Sequence, residues 1–455
     1  MRLTLFLIIA GVLMSAGRAP VSAEQNSAAA AAAIVERMAS GDFASVHARF
    51  DATMRASLTE EALANVWAAA VAQFGSFQSQ SPARVSRTGQ YDVALVPCRF
   101  QRGELDVQIA LDSAGRIAGL YLLPPGSVSG EAQPSQPPAP APAAGEAREE
   151  QVTVGKGESA LPGTLTLPAG SGPFPAVVLV HGSGPQDRDS TVGACKPFRD
   201  LAGSLAARGR GIAVLRYEKR TKQHAAKMAA SAGSITVREE TIDDALAAVA
   251  LLKKHPSINP QRIFVAGHSL GGMLAPRIAA LDADIAGIIL LAANARPVPE
   301  LILEQLAYIR SLGGPEAETA GQELERAMKA AERIARSSGD SPAKPEEWLL
   351  GVPDSYWLQL AKYDPLLTAK QLKQPMLILQ GGRDYQVTEK DFNLWKGALE
   401  GKAGVTLKMY PRLSHIFVEG EGRSTPQEYS RPGVVSDEVA ADIASWILRQ
   451  QPKRR

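Results

Sequence analysis

Between residues 151 and 451 the chain alternates two patterns. Short runs of apolar, mostly β-branched residues occur at 176–180, 212–215, 263–266, 285–291, 376–379 and 405–409. Stretches with helical spacing lie between most of them, as at 241–254 and 438–449. Strands that are almost wholly apolar have both faces buried. Their alternation with helices predicts an α/β domain, a mostly parallel sheet with helices on both faces. The interval 296–372 is too long for a simple crossover and reads as mostly helical, so it is expected to be a cap inserted into the domain.

The pattern changes toward the N-terminus. Residues 28–125 carry helical spacing at 29–38 and 59–74, then strand-like alternation at 91–100, 104–111 and 117–123. Gln101-Arg102-Gly103 and Asp112-Ser113-Ala114-Gly115 supply turn chemistry between those strands, so a small α+β domain is expected. Pro, Ala, Gly, Ser and Glu then dominate, and a linker is set at 126–150. Such a segment cannot bury enough apolar surface to offset chain entropy, and its prolines keep it extended. Residues 1–23 have the layout of an export signal: Arg2, an apolar run over 3–14, then small residues Val21-Ser22-Ala23 before Glu24. That run is short for ~30 Å of hydrocarbon, so no membrane span is expected after cleavage, and the mature protein is expected to be periplasmic or secreted.

With 455 residues the chain is long enough for two domains, and 45% hydrophobic with 21% charged residues is an ordinary globular composition. The 49 basic and 47 acidic residues leave a net charge of only +2. That balance offers no basic stripe for phosphate backbones, and nucleic acid is excluded as a partner. The two cysteines, Cys98 and Cys195, can pair in an oxidising compartment. Cys98, however, shares an alternating strand face with Val96 and Phe100, which favours a buried thiol.

The strongest local signal is Gly267-His268-Ser269-Leu270-Gly271-Gly272. It follows one predicted strand and opens a helical run, which places Ser269 on a tight strand-to-helix turn where flanking side chains would collide. A serine nucleophile needs a base, and the base needs an orienting acid. Of the 6 histidines, His415 lies in the loop after the last strand. Asp384, in Gln380-Gly381-Gly382-Arg383-Asp384, follows the strand before it, with Asp364 as its rival. A developing oxyanion needs backbone donors. The N–H of Leu270, after the nucleophile, and that of Ser183, in the glycine-rich turn after residues 176–180, are the candidates. No His/Cys/Glu cluster has metal-ligand spacing, and no phosphate-cradling glycine loop is well placed, so no metal or cofactor is expected.

From residue 151 onward the chain resembles bacterial α/β-hydrolase esterases that carry a His-Gly-Ser-Gly-Pro-x-Asp-Arg-Asp signature, present here from His181 to Asp189. Leu215-Arg216-Tyr217-Glu218-Lys219-Arg220 is similar to the Arg-Tyr-Asp-Lys-Arg run of such proteins, with Glu218 in place of Asp. Tyr363-Asp364-Pro365, Gly381 to Asp384 and Leu413-Ser414-His415-Ile416-Phe417 also fit. The resemblance implies the α/β-hydrolase fold and carboxylesterase activity on small-molecule esters of short to medium acyl length, without a metal. Some relatives carry a small N-terminal α+β domain like that expected here. Asp187, Arg188 and Asp189 read as an internal salt-bridge network holding the turn, or as contacts to a polar substrate group. A peptidase on the same fold, and an envelope binding protein with a vestigial hydrolase domain, stand as alternative functions.

Overall fold

A computed structural model describes residues 21–123 and 147–451, apart from 52–53, 56–57, 89–90, 208, 231–234, 337–343 and 345–346. The apolar run of the expected export signal and most of the expected linker lie outside the described residues. The chain divides into two compact units at residues 141 and 142.

The N-terminal unit has helices Val21–Ala39, Phe43–Ala48 and Glu60–Phe74 and five strands, β1 (Phe77–Gln80), β2 (Arg84–Thr88), β3 (Tyr91–Phe100), β4 (Gly103–Leu111) and β5 (Ile117–Leu123). All pairs are antiparallel, with β1 and β2 on one side of β3 and β4 then β5 on the other. Ala94, Val96, Cys98 and Phe100 project from one face of β3 into a core with Ile34, Met38, Leu63 and Trp67. β1 and β2 escape the sequence pattern because both are short and β1 carries no buried residue. Cys98 and Cys195 are both free and buried. Burial, reinforced by the charge of Asp106, pushes the Cys98 thiol up to about 12.

The second unit is built on an eight-stranded sheet. Its strands are β6 (Arg148–Val154), β7 (Leu161–Leu167), β8 (Phe174–Val180), β9 (Ala213–Tyr217), β10 (Ile258–His268), β11 (Gly287–Leu291), β12 (Met376–Gly381) and β13 (Val405–Tyr410). Their spatial order is β13-β12-β11-β10-β8-β9-β7-β6. The pairs among β8 to β13 are parallel, whereas β6 pairs antiparallel with β7 and β7 with β9. The last residues assigned to the linker at 126–150 are therefore corrected, since β6 starts at Arg148. Its first four residues, Arg-Glu-Glu-Gln, are polar and mostly exposed, so this edge strand has no apolar run to announce it.

Along β8 alternate residues go to opposite cores. Ala176, Val178 and Val180 join one apolar cluster, Val177 and Leu179 the other, as the period of two in a strand requires. Between β11 and β12 lie helices Val298–Ser311, Pro315–Arg336, Asp354–Ala361 and Pro365–Gln371, the expected cap. Tyr356 and Trp357 of this segment are buried in the same cluster as Met273 and Leu306, and the Trp357 indole donates to the Val352 carbonyl at 3.2 Å. Because β8, β10, β12 and β13 run the same way, the loops that follow them gather along one edge of the sheet, where ligands bind in open α/β sheets.

Candidate active site

Ser269 sits between the end of β10 and the helix Leu270–Leu281, with φ 55° and ψ −120°. Such a positive φ is costly for a residue with a Cβ and recurs at functional sites. The turn is held on both sides: Ser269 N–H donates to the Leu291 carbonyl at 2.9 Å, and the Ser269 carbonyl accepts from Met273 N–H at 3.0 Å. Neighbouring backbone packs so closely that a Cβ on Gly267 would lie 2.1 Å from the Gly271 carbonyl oxygen, and one on Gly271 would lie 2.5 Å from that of His181. From Ile263 to Leu270 every residue except Ser269 is buried. The strain thus presents one hydroxyl outward.

Asp384 and His415 meet at the ends of β12 and β13. His415 Nδ1–H donates to Asp384 Oδ2 at 2.6 Å, with both side chains buried. The other carboxylate oxygen, Oδ1, accepts from the backbone N–H of Gln386 at 2.7 Å and Val387 at 3.0 Å. Gln380 Nε2 adds a donor to Oδ2 at 3.1 Å, a support that sequence reasoning missed because a glutamine ending a strand carries no signal. The carboxylate is thus fixed as an acceptor, which leaves His415 Nε2 with its lone pair free. Gly381 lets the two loops touch, since a Cβ there would lie 2.3 Å from the Ser414 carbonyl oxygen.

His268 ties this pair to the serine turn. Its Nε2–H donates to the His415 carbonyl at 2.9 Å, and the two imidazole centroids are 4.5 Å apart. Burial, then the neighbouring His415, lowers His268 to about 3, so it is a neutral structural ring. Among the described residues neither the Ser269 hydroxyl nor His415 Nε2 has a hydrogen-bond partner. Such contacts are often loose without substrate and tighten in the reacting complex.

The turn after β8 faces Ser269 from the other side. A Cβ on Gly182 would lie 3.1 Å from Ser269 Cβ. Ser183 N–H and Leu270 N–H, the two expected oxyanion donors, have no hydrogen-bond acceptor among the described residues, and Leu270 opens a helix whose dipole favours negative charge at its start. His181 is not a competing base. Its Nε2–H donates to the Asp187 carbonyl at 3.0 Å, and burial followed by the charge of Lys219 lowers it to about 3.

The charged residues of the turn pair internally. Arg188 Nε bonds Glu218 at 2.8 Å, Arg216 pairs with Asp189, and Asp187 accepts from Thr191 N–H at 2.8 Å and its hydroxyl at 2.7 Å. Asp364, the rival acid, caps the helix Pro365–Gln371 by accepting from Leu367 N–H at 2.9 Å. A cavity of about 810 Å³ opens beside the Asp384 loop, lined by Arg383, Glu389, Arg412 and Arg423 among others, but neither Ser269 nor His415 lines it. Among the described residues no group of His, Cys, Asp or Glu is arranged to hold a metal ion, and no helix is long and apolar enough to cross a membrane.

A parallel sheet with a strained serine at the end of β10 and an acid–imidazole pair beyond β12 and β13 is the framework of an α/β hydrolase. The chain belongs to the alpha/beta hydrolase family, whose model matches residues 177–431. It is similar to esterase EstD of Thermotoga maritima, 37% identical over 416 residues that span 91% of this chain and 94% of that one. Residues 31–120 match a family described as a protein of unknown function, DUF3887. Similar solved structures include Est1E from Butyrivibrio proteoclasticus, 17% identical with a TM-score of 0.43 over 66% of this chain and 98% of that one. The Pyrococcus furiosus esterase Pf2001 is 16% identical with a TM-score of 0.43 over 67% and 92%.

Proposed function

We propose that this chain is a serine carboxylesterase that cleaves short- to medium-chain acyl esters through Ser269, His415 and Asp384. The observation that carries the reading is the buried 2.6 Å bond from His415 to Asp384 on the sheet edge where Ser269 is held at positive φ. The relative named as an esterase, similar over nearly the whole chain, supports the ester as the bond cut.

In this reading the Ser269 hydroxyl attacks the acyl carbon while His415 Nε2 takes its proton. Asp384 holds the Nδ1–H tautomer and stabilises the imidazolium that forms. The N–H groups of Ser183 and Leu270 receive the oxyanion, each worth ~3–4 kcal/mol of barrier. The proton passes from His415 to the leaving alcohol, and water, activated the same way, releases the acid and restores Ser269. We also infer that residues 1–23 direct export to the periplasm or beyond, which N-terminal sequencing of the mature protein tests: a start at Met1 or Arg2 overturns it.

The central test is turnover of p-nitrophenyl acetate beside aminoacyl anilides. Ester turnover that falls at least ~10⁴-fold in Ser269→Ala is expected. Turnover of anilides alone would make the chain a peptidase. A purified protein that no fluorophosphonate labels and that turns over neither would be a binding protein on a hydrolase frame.

A further inference from the structure

Lys219 is almost wholly buried, at 2% exposure, directly beneath the turn after β8. Its Nζ donates to the Gly182 carbonyl at 2.7 Å and pairs with Glu240 at 2.8 Å. Two neighbouring carbonyls are held as well: that of Ser183 accepts from Gln186 Nε2 at 3.0 Å and that of Gly184 from the Thr221 hydroxyl at 3.3 Å. The backbone N–H of Lys219 closes the set on the Gln186 carbonyl at 3.0 Å. Three successive carbonyls are thus held, two from outside the turn by Lys219 and Thr221 and one within it by Gln186.

The consequence lies in the peptide plane. The Gly182 carbonyl and the Ser183 N–H belong to one trans peptide, so they point in opposite directions within one plane. An ammonium that fixes the carbonyl fixes the aim of the N–H away from it. A cation on the oxygen also draws electron density from the nitrogen, which makes the N–H a stronger donor. That N–H has no acceptor among the described residues, while Gly182, the residue before it, packs so close to the serine that a Cβ there would lie 3.1 Å from Ser269 Cβ.

Burial of an ammonium is not a favoured way to gain stability, since an apolar side chain of like size often does as well. Here the charge is kept by a chain of contacts that leads to the cap. Glu240, buried on the π-helical turn Arg238–Ile242, takes a hydrogen bond from the phenol of Tyr356 on the cap helix Asp354–Ala361. Burial, then Glu240, holds the Tyr356 phenol well above its usual range, so it stays a donor. π turns of this kind recur at functional sites.

We propose that Lys219 is a positioning residue for the reaction, orienting and polarising the Gly182–Ser183 peptide, and that Tyr356 on the cap sustains it through Glu240. This rests on the reading of Ser183 N–H as an oxyanion donor given above. In Lys219→Met, kcat for p-nitrophenyl acetate is expected to fall ~10²-fold, the scale of losing one oxyanion donor, with KM within about twofold. An aryl trifluoromethyl ketone, which adds Ser269 and leaves an oxyanion, should lose affinity by the same factor, while the matching methyl ketone, which does not add, is unaffected. Tyr356→Phe removes one hydroxyl and should lower kcat and trifluoromethyl ketone affinity about fivefold in parallel; it decides the matter should the Met variant not fold. Wild-type kcat and ketone affinity in a folded Lys219→Met, or in Tyr356→Phe where the first does not fold, overturns the proposal. If Ser269→Ala is inactive in that same experiment, the esterase reading survives; if Ser269→Ala is fully active, both fall.

Discussion

The two sides of the serine are held by different physics. On the side of β12 and β13, backbone meets backbone: Gly381 lies against the carbonyl of Ser414 with no room for a Cβ, and one oxygen of the Asp384 carboxylate, Oδ1, is fixed by two main-chain N–H groups. On the side of β8, side chains reach in to hold a turn: Lys219, Gln186, Thr221 and Arg188 bond its carbonyls or its acidic neighbours. A main-chain contact of the first kind tolerates little and tunes nothing, whereas a side-chain clamp can be retuned one residue at a time. Two buried imidazoles besides His415 flank the serine, His268 against the first side and His181 on the second, both held neutral.

Substitutions can break this contrast in graded steps. Asp384→Asn keeps the shape but removes the acceptor that sets the His415 tautomer. A loss of ~10⁴ in kcat is expected in steady-state ester hydrolysis, with the thermal midpoint much less affected. Gly381→Ala forces the two loops apart. It should destabilise by ~1–3 kcal/mol in denaturant titration and lower kcat by about 10²-fold, because a displacement near 1 Å is enough for that. A tenfold smaller loss would mean that the backbone side is softer than its packing indicates.

Acid tests both sides together. His181 and His268 titrate near 6.5 when unfolded and at about 3 when folded. Between those values the unfolded chain binds more protons, so stability falls as pH drops from 6.5 toward 3, by up to ~2.7 kcal/mol per pH unit for two such groups. Chemical unfolding at pH 7, 6 and 5 checks this, and His181→Asn should remove about half of the slope. The smallest effect is expected from Glu218→Asp, which shortens a partly exposed pair with Arg188. A change below ~1 kcal/mol in stability and under twofold in kcat would mark it as a substitution the clamp absorbs.

The features that were legible in advance are those with a local pattern. Five of the six apolar runs became β8 to β12, strands buried on both faces, and the sixth became the edge strand β13, which carries Thr406 and Lys408; Ser269, Asp384 and His415 follow the ends of β10, β12 and β13. β6, β7, β1 and β2 were not foreseen. An edge strand exposes one face, so Arg148 to Glu150 read as linker. Lys219 was visible only as one charge in Leu215 to Arg220, since nothing local distinguishes an ammonium buried under a turn from one in water. Gln380 and Gln186 were silent for a similar reason: each matters through contacts that depend on the folded turn, and a single amide in a sequence has no pattern.

The sheet order carries a temporal meaning. His268 and His415 touch across 147 residues of chain, and the strand that delivers His415 is the outermost on its edge. In the proposed mechanism a ribosome-bound fragment that ends before β13 carries Ser269 but lacks His415, the base assigned to it. On that mechanism hydrolysis would switch on only when that last parallel strand docks, and a nascent or truncated polypeptide would be chemically silent, however well its earlier segments have collapsed.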